Sequence, residues 1–196
     1  MALLQTDIII LGAGASGLMC AQIAAQRGRK VVVLERANKI GKKILMSGGG
    51  RCNFTNLDVQ PENFISNNPH FVISALNRYT QWDFLSLIGK YKINYEERKH
   101  GQLFCVDSAK DILNMLLNEC EKAGVTLKSS QTVTQVSFDE PSQKFTVTTE
   151  NSVYQCQSVV VATGGLSIPT LGGSGFGYTL AQQFGHHVYP TTAGLV

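Results

Sequence analysis

Gly12-x-Gly14-x-x-Gly17 and the acidic Glu35, eighteen positions beyond the last of these glycines, are the residue types and spacing that most plainly imply chemistry. A first glycine permits a tight turn, a second lets a pyrophosphate reach the backbone, and a third lets a helix pack close on its strand. The helix that follows offers free N–H groups and partial positive charge to an anion. An acidic side chain at the place of Glu35 hydrogen-bonds adenosine ribose hydroxyls. The elements that must position these groups are legible on both sides. Ile8 to Leu11 reads as a buried strand, Leu18 to Gln26 is rich in helix formers, Gly28 breaks the helix, and Lys30 to Glu35 is a second strand. The alternative is a βαβ unit whose glycines serve packing and whose Glu35 is a solvated strand end. The strand–helix–strand context favours a dinucleotide site.

Two further stretches bear on the same chemistry. Between Arg36 and Arg51 inclusive lie five cations (Arg36, Lys39, Lys42, Lys43, Arg51) and no carboxylate, and Gly48-Gly49-Gly50 allows the backbone to fold tightly. Such a segment can add N–H donors and positive charge to a diphosphate, a ribityl chain or a ring system. A merely solvated loop is the alternative, and the composition favours cofactor contact. Farther on, the apolar strand Ser158 to Ala162 ends in Thr163-Gly164-Gly165, a small hydroxyl and two glycines at a strand's carboxyl end, where open α/β sheets bind ligands. Gly172-Gly173-Ser174-Gly175-Phe176-Gly177 then opens an apparent helix from Tyr178 to Phe184, either as a second phosphate cradle or as packing.

The rest of the chain supplies framework. Short helices are expected near 71–79 and 82–88, and short strands near 92–97 and 101–105. A capped helix begins at Ser108 and ends at Gly124, and Val125 to Lys128 is a strand parallel to the first two. Three extended runs from Thr132 to Gln157, split by turn signals, form an antiparallel meander in place of a helical crossover. At 196 residues with 43% hydrophobic and 16% charged residues, the composition is that of an ordinary globular protein. A formal charge of +3 gives no expectation of nucleic acid, and no apolar run approaches a bilayer's thickness. The N-terminus leads straight into the glycine loop rather than through a cleavable leader. Five scattered cysteines without a C-x-x-C pair suit a reducing cytoplasm and support neither a zinc site nor a dithiol reductase. Cys52 reads as structural rather than as a redox thiol, and no metal site or catalytic acid or base stands out.

Lys43-Ile-Leu-Met-Ser-Gly-Gly-Gly-Arg-Cys-Asn-Phe-Thr-Asn56 and Ala162-Thr-Gly-Gly-Leu-Ser-Ile-Pro-Thr-Leu-Gly172 resemble the signatures of the BaiN/YhiN-like family of NAD(P)/FAD-dependent oxidoreductases, within the glutathione-reductase-type FAD superfamily. The resemblance implies an α/β, Rossmann-like FAD-binding domain with a parallel sheet, a βαβ N-terminus and an antiparallel β-meander. By matching positions, Gly12, Gly14, Ala15, Ser16 and Gly17 hold the pyrophosphate of non-covalent FAD, and Glu35 the adenosine ribose. Arg36, Lys43, Ser47, Arg51, Cys52 and Asn53 line the diphosphate-to-flavin region, Val133 offers backbone to the adenine, and Thr163, Gly164 and Gly165 close over the cofactor. Family members are longer, so the resemblance implies one incomplete FAD-binding domain over 1–196 with a less regular α/β insertion at about 57–105. It further implies truncation before an inserted substrate domain, with a missing C-terminal half as a candidate partner. The expected activity is FAD-dependent oxidoreduction of a small organic substrate with NAD(P)H or oxygen as electron partner. The alternatives are a non-catalytic nucleotide-binding fragment and a flavoprotein of RNA modification.

Overall fold

The computed structural model describes residues 3–168 and 173–192. In order, the chain forms β1 (Leu3–Gln5), β2 (Ile8–Leu11), α1 (Ala15–Gln26), β3 (Val31–Leu34), α2 (Lys42–Met46), a 3-10 turn (Ser47–Gly50) and β4 (Asn53–Asn56). It continues with α3 (Ile73–Arg78), α4 (Gln81–Lys90), β5 (Tyr95–Glu97), β6 (Gln102–Cys105), α5 (Ala109–Lys122) and β7 (Thr126–Lys128). The meander β8 (Val133–Asp139), β9 (Lys144–Thr149) and β10 (Val153–Cys156) leads to β11 (Ser158–Val161) and α6 (Phe176–Gln183). Two compact units result: Met1–Lys42 with Glu119–Val196, and Lys43–Asn118.

The first unit is a Rossmann-like α/β fold. Its parallel sheet has the order β11-β2-β3-β7, and α1 connects β2 to β3. The crossover from β7 to β11 is the expected meander, whose sheet has the order β1-β10-β9-β8. The two sheets share a core. Ile9, Leu11 and Leu34 of the parallel sheet pack with Val136, Val147, Tyr154 and Cys156 of the meander and Leu180 of α6. Alternation along β2 turns Ile10 to the other face, where α1 packs on β2 and β3 with Gly17, Leu18 and Ala21 buried.

The second unit holds an antiparallel sheet of order β4-β6-β5, with α3 and α4 in the connection from β4 to β5. Thr80 caps α4 through a reciprocal pair of bonds. Its hydroxyl accepts from Asp83 N, and its own backbone N–H donates to the Asp83 carboxylate. Ser108 Oγ likewise accepts from Lys110 N at the start of α5.

Two stretches differ from the sequence reading. Residues 42–56, read as a loop, contain α2, the 3-10 turn and β4. Strand β4 finds its partner β6 more than forty residues later, so no local pattern marks it. Strand β1 is an added parallel neighbour of β10, and its exposed side chains carry no hydrophobic alternation. Gly172 of the second glycine-rich run, and the terminus Ala193-Gly194-Leu195-Val196, lie outside the described residues.

Among the described residues Tyr154 carries a buried hydroxyl with no hydrogen-bond partner, in a side chain only 1% exposed. An unpartnered buried hydroxyl costs about 1–3 kcal/mol. Tyr154→Phe is therefore expected to melt at the same temperature or a few degrees higher; a clear drop in a thermal melt would show that the hydroxyl is satisfied in solution.

Candidate functional site

At the carboxyl ends of β2, β3 and β11, the first unit gathers the glycine loop, Glu35 and the Thr163–Gly165 strand end. The loop's shape follows from contacts a side chain would forbid. Gly12 has φ +104°, and a Cβ there would lie 2.5 Å from Ala162 O. A Cβ on Gly17 would run into Gly12 O. Gly14 behaves oppositely: a Cβ there meets nothing within 4 Å, so the room beside it is not used by the protein's own packing. Gly14 is also the residue before the first turn of α1, whose N–H groups receive no side-chain cap and no acid in that turn. Ala15 and Ser16 are exposed at the helix start.

Glu35 directly follows β3 and is tied across the site. One carboxylate oxygen accepts from Ala13 N and the other from Ala37 N, both at 2.8 Å. Each oxygen retains a second lone pair. Backbone bonds hold the frame: Gly12 N donates to Leu34 O, Glu35 N to Lys128 O, and Gly41 N to Ala13 O. Arg36 is exposed next in sequence. Val133 opens β8, opposite Thr149. Thr163 lies against the start of α6, where a Cβ on Gly177 would come within 2.7 Å of its hydroxyl. Gly165 N-terminal to Leu166 sits close enough to α6 that a Cβ would be 3.0 Å from the Tyr178 hydroxyl. An open, mainly apolar cavity of about 750 Å³ lies here, lined by Ser16, Phe145, Val161, Thr163, Tyr178 and His186 among others.

Lys43, Ser47, Arg51, Cys52 and Asn53 belong to the second unit. Lys43 is half-buried on α2, and Ser47 Oγ donates to Ile44 O at 2.7 Å. Gly48 and Gly49 are left-handed at φ +56° and +66°, and the turn closes with Cys52 N donating to Ser47 O. Cys52 is buried with φ +50°, while Arg51 and Asn53 are exposed. Burial pushes the Cys52 thiol up, partly offset by a hydrogen bond with Ser47. Burial, with Cys52 and Asp111 nearby, pushes Cys105 up to about 12. These thiols are neutral near pH 8, which fits the structural reading of Cys52. Glu96, Arg98 and Phe104 surround this turn and were not legible in the sequence, because their proximity rests on long-range pairing of β4, β6 and β5. Among the described residues no His/Cys/Asp/Glu cluster could hold a metal ion.

Two measurements check this geometry. In a helix Ala normally stabilises by about 0.5–1 kcal/mol relative to Gly; Gly17→Ala should instead destabilise by about 1–3 kcal/mol because of the Gly12 carbonyl, while Gly14→Ala should melt like the wild type. Iodoacetamide at pH 8 should leave Cys52 and Cys105 unmodified in the native protein and label both after denaturation. Native labelling of Cys52 at the rate of a free thiol would contradict its burial.

Comparison with known proteins places the chain. The family profile described as HI0933-like protein Rossmann domain matches residues 6–196. The chain is 53% identical over 190 residues to a protein of Escherichia coli (strain K12) named ribosomal RNA dihydrouridine synthase, covering 97% of this chain and 47% of that one. It is 28% identical over 190 residues to the 3-dehydro-bile acid delta(4,6)-reductase of Clostridium scindens, covering 95% and 46%. The crystal structure of 3-ketosteroid-delta4-(5alpha)-dehydrogenase from Rhodococcus jostii RHA1 superimposes with a TM-score of 0.61 at 16% identity, over 83% of this chain and 46% of that one, which shows a shared fold. The chain thus spans about half the length of the curated relatives it matches. Among the described residues no helix is long and apolar enough to cross a membrane. The match along nearly the whole chain bears out the resemblance drawn from the sequence motifs: this chain belongs to the HI0933-like Rossmann-domain family of FAD-binding oxidoreductases.

Proposed function

We propose that this chain is the FAD-binding part of a reductase that saturates a carbon–carbon double bond conjugated to a carbonyl, with uridine in ribosomal RNA as the substrate. The observation that carries the cofactor is the open space beside Gly14, flanked by the closed contacts of Gly12 and Gly17. A diphosphate fits there because the first turn of α1 offers N–H groups without a side-chain cap and carries no acid of its own. Ser16 adds an exposed hydroxyl at the same turn. The spare lone pairs of Glu35 accept from ribose hydroxyls, and the bond from Ala13 N keeps its carboxylate fixed relative to the loop. Thr163, Gly164 and Gly165 present small side chains and backbone at the end of β11, and Val133 offers backbone at the start of the meander.

Flavin held by these residues would, once reduced by NAD(P)H, supply the hydride that together with a proton saturates such a double bond. The relatives point to the acceptor. Dihydrouridine differs from uridine by saturation of the double bond conjugated to the C4 carbonyl, and the delta(4,6)-reductase name describes the same class of bond beside a 3-oxo group. The higher identity of the ribosomal RNA relative favours RNA over the expectation from net charge. A charge of +3 is a sum, whereas contacts to phosphate depend on local arrangement. The second reading, a small cyclic enone, is favoured by the bile-acid relative and by that modest charge.

The test has two arms. The purified protein should show flavin absorbance, release FAD on heating, and lose affinity about tenfold or more on Gly14→Ala, equivalent to ~1.4 kcal/mol, with the melting temperature of the FAD-free protein unchanged. Deleting the gene should remove dihydrouridine from ribosomal RNA, read by mass spectrometry of its nucleosides, and the wild-type gene should restore it. Unchanged dihydrouridine would discard the RNA reading; a protein that takes up no FAD would discard the flavoprotein reading.

A further inference from the structure

In the second unit's sheet, Asn53 and Glu96 both pair with Phe104, so the three side chains form one row on the same face. Arg98, two residues beyond Glu96, returns to that face and lays its guanidinium over the Phe104 ring, 4.2 Å from the centroid. The same ring underlies the triple-glycine turn: a Cβ on Gly48 would lie 2.6 Å from Phe104 Cε1 and 2.8 Å from Asn53 N. Arg98 also donates to Glu96 Oε1 through Nε at 2.9 Å and Nη2 at 2.8 Å. Arg51, at the end of the turn, reaches that same oxygen only at 3.5 Å. Two guanidinium groups therefore share one carboxylate, and Arg98 holds the shorter bonds. The trio keeps a net positive charge, which resides on the loosely held, half-exposed Arg51.

We infer that Arg98 is a positioning residue: it braces the Ser47–Arg51 turn through Phe104 and occupies Glu96, and so leaves Arg51 able to take a phosphate oxyanion. Without Arg98, Glu96 would become Arg51's own partner, because an Arg–carboxylate pair prefers two short bonds. The charge available to an anion would then fall although residue 98 touches no ligand. The oxyanion is that of a phosphate ester, and titration with each ligand tells which one carries it. This ligand class rests on the function proposed above; the bracing geometry does not.

The purified protein is titrated with FAD and, separately, with a fluorescent uridine-containing RNA oligonucleotide, and each variant is melted. Arg51→Met should weaken one of the two ligands by roughly fivefold, and that ligand identifies the source of the phosphate. Arg98→Met should weaken the same ligand by a similar factor. Adding Glu96→Gln to Arg98→Met should restore binding, because Arg51 is freed again; a purely structural Arg98 is not rescued by removing its partner. Should Arg98→Met fail to fold, Glu96→Gln alone decides, since it should tighten the same ligand. The inference is overturned if Glu96→Gln weakens binding or leaves it unchanged, if the double variant is not rescued, or if Arg51→Met changes neither ligand while the wild type binds FAD. That last outcome leaves the flavoprotein reading standing; a wild type that binds neither ligand overturns both.

Discussion

The close approach of three backbone segments at Gly12, Gly17 and Ala162 governs the first unit. The turn after β2 folds with Gly12 in a left-handed conformation against the Ala162 carbonyl, and α1 starts so near that turn that Gly17 leaves no space for a methyl group. This junction sets where the first turn of α1 points, and hence where its N–H groups are offered. It also fixes the end of β11, so that Thr163 to Gly165 leave the sheet beside the same loop. Gly14 stands apart from this network because the protein itself fills none of the space beside it. Two glycines close the structure and one keeps it open, a division of labour that the motif alone cannot distinguish.

Glu35, the candidate ribose ligand, also has a structural part. Its bond from Ala13 N links the end of β3 to the loop after β2, and its bond from Ala37 N shapes the chain that follows. The carboxylate is thereby oriented before any ligand arrives, which lowers the ordering cost of binding. The meander contributes differently. By covering Ile9, Leu11 and Leu34 with Val136, Val147 and Tyr154, it seals one face of the parallel sheet that a helix would otherwise cover.

In the second unit the triple-glycine turn depends on a single aromatic ring. Phe104 is buried, supports Gly48 from below and carries Arg98 on its face. Cys52, next to that turn, is held in a left-handed conformation with its thiol inside the protein, so its place in the motif is one of shape. The cations of residues 36–51, uniform in the sequence, thus differ in setting: Arg51 leans on Glu96, and Lys43 is half-buried on a helix.

The sequence by itself determined the βαβ start, the parallel strands, the meander and the capped helix at Ser108, because each is written in local periodicity and in turn or cap residues. It also singled out Gly12, Gly14, Gly17 and Glu35, whose spacing reflects one short strand–helix–strand unit. What only the tertiary structure decided depends on residues far apart in the chain. Strand β4 exists because β6 pairs with it, β1 because β10 does, and the Glu96–Arg98–Phe104 brace because β5 and β4 flank the same strand. The distinct roles of the three glycines were likewise hidden, since the atoms that exclude a side chain at Gly12 belong to residue 162. Local pattern specifies elements; pairing across long separations, which carries no local signature, specifies which side chains meet.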